Sequence, residues 1–117
     1  MAKAANVFRK ATVELLLIQL AALEKTIGVV LKCYRDYESP GKPSKKQPEV
    51  ASSAKTHQPV VSGLENGKSV PSDAVLKRIM VNVGLDPAIP APNALYELLR
   101  YIRDQKEHLK ALSRHFP

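Results

Sequence analysis

The chain of 117 residues has no tryptophan, a single cysteine and only a 5% share of aromatic residues. One thiol, Cys33, can close no internal disulfide, so the fold does not rely on oxidation. That points to a reducing intracellular compartment, cytoplasmic or nuclear with a mitochondrial location left open, and to a buried, inert thiol. So few rings leave little for stacking on nucleic-acid bases. Long apolar runs are missing as well. Near the N-terminus the longest uncharged stretch is Leu15–Leu23, well short of the roughly 18 residues that a membrane span requires. Glu14 and Gln19 also make this region a poor signal-peptide core.

Recognisable catalytic spacing is absent too. No serine, cysteine or carboxylate pair is set out as a nucleophile with its base or as an acid–base pair, so the expectation is a non-enzymatic chain without a small-molecule substrate. His108 and His115 lie seven residues apart, where helical chelation needs four, and no cysteine pair joins them. Asp104 and His108 have the right spacing, but two ligands do not make a metal site; neither metal nor cofactor is expected. Residues 62–69, SGLENGKS, end in the Gly-Lys-Ser of a phosphate-binding loop. Ser62 stands where the first glycine belongs, and Pro71 disfavours a helix opening directly behind the motif. A turn is the better reading, with Val60, Val61 and Leu64 placed to flank Asn66-Gly67 in a small hairpin.

What is present is helical patterning. From Ala5 to Tyr37 there is no proline and one glycine, Gly28, so a single long helix is expected. Val13, Leu16, Leu20, Leu23, Ile27, Val30, Tyr34 and Tyr37 keep alternating steps of three and four, an a/d seam over more than three heptads. A second stripe runs through Ala11, Leu15, Ile18, Ala22 and Val29, so the helix is apolar on more than one side and needs cover on more than one side. Residues 38–71 contain five prolines among Ser, Lys and Gly and read as a flexible linker. A helix then follows Pro71, with Ser72 as its N-cap and Gly84 as its left-handed stop. The last helix is expected from a cap near Asn93 to about Phe116, its seam Leu95, Leu98, Ile102, Gln105, Leu109, Leu112 and Phe116, with Gln105 as the one polar, register-fixing member.

The sequence thus predicts an all-α protein with a coiled-coil-like helical bundle. Residues 1–37 form a long amphipathic helix, 38–71 the Pro/Lys/Ser-rich linker, and 72–117 a helical pair, together making one domain. Its expected role is assembly: a homo-oligomer, or an adaptor docking on a helical protein partner. The expected contact residues are Val13, Leu16, Leu20, Leu23, Ile27 and Val30 on one side and Leu98, Ile102 and Leu109 on the other. The formal charge of +7 also suits an acidic partner. It is spread, with six basic against three acidic residues in 1–37, five against three in 38–71 and seven against five in 72–117. An alternative expectation is therefore nucleic-acid binding through Arg100, Arg103, Lys110 and Arg114, supported by Lys42, Lys45 and Lys46.

Overall fold

The computed structural model describes residues 2–114, and every regular element among them is a helix: α1 (Ala2–Asp36), α2 (Gln47–Ser53), α3 (Gln58–Glu65), α4 (Asp73–Val83) and α5 (Pro90–Ser113). The seam position expected at Phe116, like His115, lies outside the described residues. Helix α1 matches the long uninterrupted pattern, and α4 begins after Ser72 and ends at Gly84 (φ +94°) as expected. Leu85 N–H donates to the Met80 carbonyl at 2.8 Å, closing the helix end around that left-handed glycine. Helix α5 starts at Pro90, earlier than the cap expected near Asn93. The first-turn N–H groups of a helix have no intrahelical acceptor, so Pro90 and Pro92 lose nothing there.

The expected linker is where the structure differs most from the sequence reading. Residues 47–65 carry α2 and α3, and the hairpin expected around Asn66-Gly67 is instead the end of α3. Both helices open with Gln-Pro, the proline lying in the first turn. Both close on a left-handed residue, Lys55 (φ +55°) after α2 and Gly67 (φ +68°) after α3. Thr56 N–H donates to the Ala51 carbonyl (2.9 Å) and Lys68 N–H to the Gly63 carbonyl (2.8 Å) across these turns. The segment has few apolar side chains, but they recur at helical spacing on one face each. Val50, Ala51 and Ala54 of this region, with Val61 and Leu64, join Ile27, Leu31, Leu76 and Met80 in one core.

Helices α1 and α5 run antiparallel, since Leu112 lies beside Phe8 and Thr12 while Lys106 reaches Glu24. Both are rotated about their axes relative to the expected seams. On α1, Val13 and Ile27 are buried and Leu20 half-buried as expected, but the positions between them are Leu17, Glu24 and Leu31 rather than Leu16, Leu23 and Val30. On α5, Ile102 and Leu109 are buried, Leu99 takes the inward place expected of Leu98, and Lys106 is half-buried beside a half-buried Gln105. A step of four, in place of a step of three, turns each helix by less than a third of a revolution. The polar pair within the seam is then Glu24 with Lys106, Nζ to Oε1 at 2.6 Å, instead of Gln105.

At the other end of α1 the inward residue is Arg35. Its Nε donates to Glu65 Oε2 (2.7 Å) and its Nη2 to Glu65 Oε1 (2.9 Å), a two-pronged pair in which both side chains are buried. Nη1 donates to the Lys45 carbonyl (2.9 Å), and Gln47 Nε2 donates to Glu65 Oε1 (3.0 Å), so the start of α2 is tied to the same carboxylate. Between Glu24 and Arg35, the end of α3 lies directly on α1 at Gly28. A Cβ there would press into the Glu65 carbonyl and come within 2.7 Å of the Leu64 carbonyl oxygen. In an open helix, Ala in place of Gly gains about 1 kcal/mol. Gly28→Ala is expected to reverse that sign and destabilise the protein by about 1–3 kcal/mol, because two backbone carbonyls cannot rotate aside as a side chain would. Urea denaturation of the two chains measures it.

Candidate functional site

With Glu24, Gly28, Leu31 and Arg35 turned inward, the opposite side of α1 is left outside. At 100° per residue, that side from Ala11 to Tyr34 holds Ala11, Thr12, Leu15, Leu16, Ile18, Gln19, Ala22, Leu23, Thr26, Val29, Val30, Cys33 and Tyr34. All are exposed and none carries a charge. The strip is about 35 Å long at 1.5 Å per residue. Leu15, Ile18 and Val29, on the second stripe, are 55, 66 and 54% exposed. Phe8 extends the strip at one end and Tyr37 at the other. Cys33 lies within it, so the thiol expected to be buried is exposed. The rotation that brings Arg35 inward carries Cys33 outward.

The residues expected to form the contact fall into two groups. Val13, Ile27, Ile102 and Leu109 are buried by the chain's own core, and Leu20 is half-buried against it. Leu16, Leu23, Val30 and Leu98 keep 41, 40, 39 and 37% of their surface. On α1, Leu16, Leu23 and Val30 follow at seven-residue steps on the side of the helix that carries Thr12. The shallow cleft between Phe8, Arg9, Thr12, Val13 and Leu112 marks its upper end. On α5, Leu98, Tyr101 and Leu112 are exposed at spacings of three and eleven residues, one edge of that helix. The apolar strip of α1 is therefore continued by an apolar edge of α5.

The basic residues have other attachments. Arg100 Nη2 lies 3.1 Å from Asp73 Oδ2 and Arg103 Nη2 lies 2.7 Å from Asp73 Oδ1. Glu97 accepts from Arg100 and Asp104 from Arg103, so Asp104 is engaged with arginine instead of His108. Arg103 also donates to the Pro71 carbonyl at 2.9 Å, holding the approach to α4. Lys42 Nζ donates to the Tyr34 and Tyr37 carbonyls (2.6 and 2.7 Å) and so closes the C-terminal end of α1. Lys45 is half-buried beside Arg35, while Lys46, Lys110 and Arg114 are exposed. SGLENGKS is the last turn of α3 and the bend after it, with Gly67 lying against the α1 backbone at Lys25. No family model matches the chain, and no characterised protein or solved structure is significantly similar to it.

Asp73 joins α4 to α5, and hydrogen bonding from Arg103, then Arg100, holds its carboxyl below the usual aspartate range. A carboxyl lowered on folding adds stability that is present above its unfolded value and is lost as pH falls through its folded one. Asp73→Asn is thus expected to be less stable than the native chain at neutral pH, with the difference closing below about pH 4. Urea midpoints of both chains at pH 7 and pH 3 test this.

Proposed function

We propose that this protein is a non-enzymatic helical assembly subunit, which joins a helical partner or a second copy through the outward strip of α1 and the adjoining edge of α5. The observation that carries the reading is the strip itself: an exposed, uncharged helix face from Ala11 to Tyr34 on a chain with a net charge of +7. Scattered apolar residues on a surface need no explanation, whereas a continuous patch marks a contact surface. Fully burying one large aliphatic side chain is worth about 1.5–3 kcal/mol, and the strip offers several in one line. Docking such a face into a helical groove uses anchors that return to one side of the helix, and the strip has them: Leu15 and Ile18 are three residues apart, Ile18 and Val29 eleven, and Leu16, Leu23 and Val30 seven.

The basic face of α5 supports the nucleic-acid alternative less well. Arg100 and Arg103 already face Asp73, and Lys106 faces Glu24. A phosphate backbone would have to displace those carboxylates before it gained either arginine.

Paired substitutions separate assembly from folding. Leu15→Asp with Val29→Asp is expected to leave helicity and melting close to native while weakening association by about 100-fold or more. Ile102→Asp buries an unpaired charge and is expected to unfold the chain, at about 4 kcal/mol or more. Sedimentation and circular dichroism on the same samples decide the matter. Association that survives the first pair of substitutions overturns the proposal.

A further inference from the structure

We propose that the partner of the α1 strip is a second copy of this chain, lying antiparallel on a two-fold axis through Ala22. This rests on the assembly reading and adds to it the partner and its direction.

The positions along the midline of the strip are evenly placed about Ala22. Ala11 and Cys33 lie eleven residues either side of Ala22, Leu15 and Val29 seven, and Ile18 and Thr26 four. An inverted copy therefore sets Leu15 over Val29, Ile18 over Thr26, and Ala11 over Cys33, a bulkier side chain against a smaller one each time. Ala22 meets itself on the axis, where a small side chain lets two helix backbones approach. The steps along this line average close to 3.67 residues per turn, slightly above the roughly 3.6 of a straight helix, so two such lines stay in contact with a gentle right-handed supercoil.

The flanks of the strip fix the direction. One flank, with Leu16, Leu23 and Val30, is uncharged and continues the side of α1 on which Thr12, one turn before Leu16, meets Leu112 of α5. The other, with Glu14, Lys25 and Lys32, is charged and exposed. In an antiparallel two-fold pair each flank meets the same flank of the other copy, whereas in a parallel pair each meets the opposite one. Parallel pairing would press Glu14, Lys25 and Lys32 onto Leu16, Leu23 and Val30, stripping water from charges that then have no partner. Antiparallel pairing sets Leu23 beside Leu23 and Leu16 beside Val30 of the second copy, and brings Glu14, eight residues before the axis, beside Lys32 of the second copy, ten after it. Opposite charges meet twice in each dimer, and the exposed edges of the two α5 helices extend the apolar side.

Cys33, the only cysteine and exposed on the strip, reports the direction. In the antiparallel pair the two Cys33 residues stand about 33 Å apart at 1.5 Å per residue, far beyond the roughly 7 Å between Cα atoms that a disulfide tolerates. The native chain is expected to be a dimer by light scattering, to form no disulfide under mild oxidation, and to give one spin-label distance of about 30–40 Å at Cys33. Ala11→Cys is expected to oxidise at least about 10-fold faster to a covalent dimer, an effect abolished by adding Cys33→Ser. A native chain that cross-links through Cys33, or labels closer than about 20 Å, overturns the antiparallel pairing while leaving assembly through α1 standing. A chain monomeric at hundreds of micromolar overturns self-pairing and leaves only a foreign partner for the strip. A dimer that persists with Leu15→Asp and Val29→Asp overturns both this proposal and the assembly reading beneath it.

Discussion

The rotation of α1 about its own axis depends on Arg35 reaching inward to Glu65. Both side chains are buried, and the carboxylate accepts two hydrogen bonds from the guanidinium and one from Gln47. A buried ion pair of this kind adds little net stability relative to apolar residues of the same size, because the Coulomb gain is offset by desolvation. Its effect is on which arrangement is allowed. Any other rotation of α1 would leave a buried carboxylate at the end of α3 without its partner, a penalty of several kcal/mol. Eleven residues earlier, and so on nearly the same line of the helix, Glu24 makes the same demand of Lys106. With two inward charges three turns apart and Gly28 between them admitting the end of α3, the choice of the buried side is fixed.

This explains which parts of the fold could be read from the sequence. The skeleton of each seam, Val13, Leu20 and Ile27 on α1 and Leu95, Ile102 and Leu109 on α5, was legible because steps of seven are common to both candidate faces. The intervening step was not. Hydrophobicity favoured a step of three, through Leu16, Leu23 and Val30, and disfavoured the step of four that runs through Glu24. Two charged residues outvoted by aliphatic neighbours are hard to place inside a helix until their partners are known, and Lys106 and Glu65 lie far along the chain. Gly28 was the available signal. A lone glycine in the middle of a helix usually has a packing reason, and it marks the inward face when set beside Leu31 and Arg35. The second stripe, read as needing cover from elsewhere, is the part of the outward face that the pattern did reveal.

The connector illustrates a different limit. Composition treats residues 38–71 as a whole, and five prolines with abundant Ser and Lys read as a segment with too little apolar surface to order itself. Placement alters that reading. Pro48 and Pro59 sit in first turns, where they favour a helix, and the turns after α2 and α3 satisfy the carbonyls at each end. The apolar side chains that do occur are then enough, since Val50 and Val61 are entirely buried. Neither short helix has the length to stand alone in water. Helix α3 is held by the side of α1 that it covers, and α2 by α3 and α4 and by the hydrogen bond from Gln47 to Glu65, so the order of the connector is a tertiary property that no local window contains.

Contacts within the chain and the strip left outside are therefore two results of one constraint. Specificity on the inward side comes from groups whose partners exist only in this chain: a guanidinium for a carboxylate, an ammonium for a second carboxylate, a glycine for a helix end. None of them draws its strength mainly from apolar area. The outward side has the reverse character, since its residues carry no charge to match and no polar group that demands one particular partner atom. Were hydrophobic burial alone to choose, the uncharged side of α1 would face the core and the side with Glu24 and Arg35 would face water. The ionic contacts prevent this, and the apolar surface they displace outward is what the proposed assembly contact would use. On this argument a weaker inward network would do more than loosen the fold. It would let α1 turn its oily side toward its own core, so that the proposed association depends on charges that lie on the far side of the helix from the strip.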